Sequence, residues 1–170
     1  MANAGTDLVG TTSIKINLTA KAAIDLSTSK DELTIDEENT WTFGHAANNM
    51  EMLFHDQISV TDAGVTVNVR TGATGRVDGF GNAAALDYIK FLYVKNTHAT
   101  ATLMIGGVAN TLQILSGDTD TLDLPPGASL LWMAPGYAGV DVSTDGVLFL
   151  DASTGTILAD VAYGGDDSTA

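Results

Sequence analysis

Along most of this sequence apolar side chains recur at every second residue, and that spacing constrains the fold more than any other feature. A strand turns successive side chains to opposite faces, so period two marks an extended segment with one face in a core and one in water. Val65, Val67 and Val69 alternate with Thr66 and Asn68, and Trp41 and Phe43 with Thr40 and Thr42. Ala99, Ala101, Leu103 and Ile105 alternate with Thr100, Thr102 and Met104. Near the end, Ile157, Ala159, Val161 and Tyr163 share one side, with Asp160 on the other. Two runs, 89–94 (IKFLYV) and 146–150 (GVLFL), are apolar at almost every position. That is the pattern of central strands covered on both sides, or of strands in a subunit interface.

Turn residues punctuate these runs about every 8 to 12 residues, the rhythm of a sandwich or barrel. Asp62-Ala63-Gly64 and Asp145-Gly146 each read as a hairpin connection between flanking strands, and Pro125-Pro126-Gly127 ends one strand and begins 129–133. The expected fold is all-β, a jelly-roll-like β-sandwich of roughly nine or ten strands. Its core should include Trp41, Phe43, Val67, Phe91, Leu103, Ile105, Leu130, Trp132 and Phe149. Residues 1–30 read as an N-terminal arm holding three of the 7 bases, Lys15, Lys21 and Lys30. Within it 14–18 suits a strand, whereas 20–26 fits a strand or a helical turn equally. Residues 31–165 form the sandwich domain and 166–170 a disordered tail.

Composition narrows the function. Of 170 residues 45% are apolar and only 16% charged, so the chain has the material for a core despite a net charge of −14. Twenty-one acids face 7 bases, and no base follows Lys95. Such a surface repels phosphate, which excludes free nucleic acid as a partner. With no cysteine there is no disulfide, thiolate metal site or cysteine nucleophile. No apolar run is long enough for a membrane helix, and the first ten residues lack the pattern of a secretory signal.

The motifs carry little chemistry. Residues 79–84 (GFGNAA) match the form of a dinucleotide-binding turn, but TGATGRVD before them is a loop and the residues after them suit a strand better than a helix. Asp118, Asp120 and Asp123 crowd one loop without the glycine and glutamate of an EF-hand; a solvated turn or a weak calcium site is open there. His45, His55 and His98 lie at no ligand spacing. Asp56 beside His55 points to the opposite face of a strand. No catalytic residue and no cofactor is assigned.

Four stretches carry a resemblance: 78–86 (DGFGNAAAL), 89–97 (IKFLYVKNT), 103–107 (LMIGG) and 124–127 (LPPG). Their succession, over roughly residues 48–163, resembles small structural proteins of tailed-bacteriophage virions, in particular capsid decoration (cement) proteins. The resemblance implies a non-enzymatic virion protein on the outer capsid surface. Its partners would be the major capsid protein and copies of itself, as a homotrimer, with neither nucleic acid nor membrane involved. In the resembling proteins the last strand is more apolar than 157–165 is here, which puts that strand in doubt as a central one. The alternative is a tail, neck or fibre component that attaches to a host glycan, with Trp132, Tyr137, Tyr163 and Asp141 as the residues to consider.

Overall fold

A computed structural model describes residues 9–24, 27–44, 46–70, 85–109, 112, 114, 120–135, 139–142, 144 and 146–166, and the side chains of these outside 16–33. The described residues are all-β, without a helix. Strands β1 (Gly10–Ile24) and β2 (Ser27–Phe43) pair antiparallel from Gly10 opposite Trp41 to Ile24 opposite Ser27, and β3 (Asn49–Met50) adds in parallel at Thr42 and Phe43. A five-stranded sheet has β12 (Thr156–Asp166) between β4 (Met52–Thr61) and β6 (Tyr88–Asn96). The other edge of β6 takes both β9 (Ser129–Met133) and β10 (Val140–Asp141). A four-stranded sheet runs β5 (Val65–Asn68), β11 (Val147–Ala152), β7 (Leu103–Gly106), β8 (Thr121–Leu124).

The five- and four-stranded sheets bury their facing side chains in one cluster. Phe54, Ile58, Val60, Leu92, Val94, Ile157, Ala159, Val161 and Tyr163 come from the first, and Val67, Leu103, Ile105, Leu124, Leu148 and Leu150 from the second. Phe54 and Tyr163 stack with ring centroids 4.7 Å apart. At about 1.5–3 kcal/mol for each fully buried large aliphatic or aromatic side chain, this cluster is the main source of stability. Both runs that are apolar at nearly every position become interior strands: β6 lies between β12 and β9, and β11 between β5 and β7.

Several expectations need correction. The turn at Asp62-Ala63-Gly64 forms, with the Gly64 N–H bonded to the Thr61 carbonyl at 3.0 Å, but β4 and β5 belong to different sheets, so it is an arch and not a hairpin. Asp145 lies outside the described residues, and the strands on either side of Asp145-Gly146, β10 and β11, also belong to different sheets. Pro125-Pro126-Gly127 does end one strand, β8, and begin β9 at Ser129 as expected, and it too carries the chain into the other sheet. Leu130 and Trp132 pack against the core, but Phe91 and Phe149 alternate out of it. Each occupies the outer face of its sheet, where it is half-buried, and the Phe149 ring lies against Gly64. Trp41 is buried and Phe43 half-buried, both outside the main cluster.

The chain ends differ as well. The boundary at residue 30 falls inside β2, which runs on to Phe43, and residues 20–24 are strand. The last strand, doubted as a central one, is the centre of the larger sheet. Its final residue, Asp166, assigned to the tail, is buried. Residues 1–8 and 167–170 lie outside the described residues.

Candidate functional site

Two of the stretches that carried the resemblance, 89–97 and 124–127, are tied together through Asn96, whereas 78–84 lies outside the described residues. Asn96 is fully buried, and its amide donates to the carbonyls of Ala101 (2.8 Å) and Leu124 (2.9 Å) while its Oδ1 accepts from the His98 N–H (3.0 Å). Its backbone bonds to the turn at 125–128, where Gly127 has the positive φ of 75° that an L side chain resists. His98 accepts the Thr100 and Ala101 N–H groups at Nδ1, a local turn contact.

Lys90, the one base in the 89–94 run, has a fully buried side chain. Between β6 and β12 the register shifts: Phe91 pairs with Gly164 and Ile89 with Gly165, leaving Lys90 as the extra residue of a bulge. The bulge is why Ile89 and Lys90 are both buried although adjacent. The Lys90 ammonium bonds Asp166 Oδ2 at 2.5 Å and donates to the carbonyls of Ala46 (3.0 Å) and Asn49 (2.9 Å). Two charges are thereby buried as a pair, and the turn before β3 is joined to the centre of the large sheet.

The outer face of that sheet is where the fold meets its surroundings. Register and alternation set its side chains in cross-strand rows. One row holds Met133, Phe91, Gly164 and Leu53, and the next Leu131, Tyr93, Ala162 and His55. A third holds Ser129, Lys95, Asp160 and Gln57. Phe91, Tyr93, Leu131 and Met133 are half-buried, and Leu53 and Leu158 are 37% and 46% exposed. The start of β1 overhangs one end, enclosing about 200 Å³ between Gly10–Thr12 and Trp41, Leu53 and Phe91.

A hollow of about 400 Å³ opens beside the overhang, lined by His55, Asp56, Gln57, Tyr93 and Asp160. His55 and Asp56 both line it although alternation turns them to opposite faces, because β4 is the edge strand and both its faces reach the rim. Gln57 donates from Nε2 to Asp160 Oδ1 at 2.9 Å, and Asp56 Oδ1 accepts the Gln57 N–H at 2.8 Å. One aromatic ring beside imidazole, amide and carboxylate groups is suited to holding a polyhydroxylated molecule against the sheet.

The other candidates do not come together. Asp120 and Asp123 are exposed and Asp118 lies outside the described residues, among which no group of three or more His, Asp or Glu side chains is placed to hold a metal ion. The glycine-rich 79–84, His45 and Tyr137 also lie outside them; the chain beyond 85 is the strand β6. Of the aromatics considered for a glycan, Tyr163 is buried and Trp132 packs against the core, while Asp141 is exposed at the edge of β6. Sequence reasoning missed Tyr93, although the 89–94 run, apolar at odd and even positions alike, was the signal that β6 presents an apolar row outward. Comparison with known protein families, with curated proteins and with solved structures gives no match.

Proposed function

We propose that this chain is a structural protein of a tailed-bacteriophage virion. In this reading the two sheets with their common core form a β-sandwich of jelly-roll type. It decorates the capsid exterior as a homotrimer, through non-covalent contacts with the major capsid protein and with neighbouring copies. The observation that carries it is the outer face of the five-stranded sheet. Met133, Phe91, Leu131, Tyr93 and Leu53 give an apolar surface to a body whose net charge is −14. Contiguous apolar surface of this kind marks a contact with another macromolecule, whereas the acidic remainder keeps crowded copies soluble. The reading assigns no catalytic role, no cofactor and no nucleic-acid partner. Quantitative mass spectrometry of purified particles tests it: the expectation is hundreds of copies per head, and a few copies per particle would overturn it.

One observation favours a second reading, a tail, neck or fibre component that holds a host glycan. The hollow at Tyr93, with His55, Gln57 and Asp160 around it, has the aromatic platform and hydrogen-bonding rim that sugars take. Antibody labelling confined to the tail tip would establish that reading in place of the first.

A further inference from the structure

The β1–β2 hairpin is out of proportion to what supports it. Its fifteen register pairs span about 50 Å, against roughly 35 Å across a body of this size. A two-stranded ribbon in water is at best marginally stable and needs a third strand or a packed face. Among the described residues only β3 adds a third strand, at Thr42 and Phe43, and the body is met only at the hairpin's open end, where Gly10–Thr12 and Trp41 lie over Leu53 and Phe91. Two edges of equal length therefore have no partner strand among the described residues: Gly10–Ile24 on β1 and residues 27–41 on β2. Each is a row of backbone donors and acceptors ready to add a strand.

The edges differ in charge. β1 carries Lys15 and Lys21 and no acid, a net +2. β2 carries Lys30 against Asp31, Glu32, Asp36, Glu37 and Glu38, a net −4. Lys15 and Asp36 already pair across the hairpin at 3.0 Å, both largely exposed, which is the kind of contact the two edges can repeat between copies. Two β1 edges together would juxtapose like charges, as would two β2 edges, whereas β1 against β2 matches charge and length at once.

We propose that the hairpin is the chain's assembly element: the β1 edge of one copy pairs antiparallel with the β2 edge of the next, head to tail. A heterologous contact of this kind closes into a ring when the rotation permits. Barrel diameter grows with strand number, and the four strands of two copies leave no room inside for side chains. Three copies give six strands, with each edge satisfied by its neighbour. The inference deepens the trimer of the reading above and rests on it only for the use of the assembly. It is tested on the free chain, so its failure and the failure of the virion role are separately visible.

The test is sedimentation equilibrium of the full chain and two charge variants. The unchanged chain should have the mass of three copies. K15E/K21E, which makes β1 net −2, should weaken the assembly at least about tenfold, so that it falls apart at protein concentrations where the unchanged chain stays assembled. Adding D36K, E37K and E38K takes β2 from −4 to +2 and should restore the three-copy mass. A single-chain or two-chain mass for the unchanged protein, or K15E/K21E assembling as well as it, would overturn the proposal. Hydrogen exchange of the unchanged protein guards against a variant that fails to fold. Amides of 10–41 should exchange more slowly at high protein concentration than at low, with β6 and β12 unaffected, and concentration-independent exchange in the hairpin would contradict the ring.

Discussion

Lys90 shows how a single side chain can be visible in a sequence and illegible there. Within IKFLYV it looks like the exception of a buried strand, yet it is fully buried, the extra residue of a bulge opposite Gly164/Gly165 that sets it beside Asp166. Nothing local to residues 89–94 specifies that bulge; it depends on a glycine pair over seventy residues away. Removing one member of a buried ion pair strands the other charge without its partner, which costs about 3–5 kcal/mol. Lys90→Ala and Asp166→Ala should each lower stability by about that amount, and Lys90→Met with Asp166→Leu by much less than the two losses together. Urea unfolding followed by circular dichroism measures all three. Equal, additive losses would mean the two groups act independently. Asn96 and His98 were legible only as types: the KNT stretch looked like a recurring motif, and its meaning, a buried amide bridging two carbonyls, depends on Leu124 arriving from another strand.

At the scale of elements, strand positions follow from the period of the apolar residues, because burial of one face is imposed residue by residue. The partners of the strands do not. The turn signals at Asp62-Ala63-Gly64 and Pro125-Pro126-Gly127 reverse the chain as their residues require, but a reversal is local and sheet membership is not. Both turns pass the chain from one sheet to the other. The clearest consequence of the pairing that does form is at Gly165. A Cβ there would lie 1.9 Å from the Tyr88 carbonyl oxygen and 3.0 Å from Ile89 Cα, both backbone atoms that cannot step aside without moving β6. Gly165→Ala should therefore destabilise by about 2–4 kcal/mol through overpacking at the bulge. Gly155→Ala is the contrast, since nothing lies within 4 Å of a Cβ there, although its φ of 65° carries a cost of its own, about 1 kcal/mol. Thermal melts of the two variants compare them, and a Gly165→Ala melt unchanged from the parent would show that β6 and β12 are not held this closely.

For the whole molecule, the all-β class was readable from periodicity and from the scarcity of long helix-forming residues, and a single large core from the apolar fraction. The outward-facing apolar rows of the large sheet were not. Phe91 and Tyr93 look like core residues in the sequence, and they are set outward only because Leu92 and Val94 take the inner face once β9 and β12 pair on either side. The acidic charge argues against a phosphate-rich partner, but it does not choose between a shell and a sugar. If the apolar outer face of the five-stranded sheet seats this protein on a shell, head particles lacking the protein will bind it, and a binding isotherm on such particles measures this. The full chain should saturate the particles at a fixed ratio to capsid subunits, and Tyr93→Asp with Leu131→Asp should weaken binding about a hundredfold, the loss of two apolar anchors at an interface centre, while keeping the parent's circular dichroism and melt. A folded double variant that binds the particles as tightly as the parent would contradict the claim.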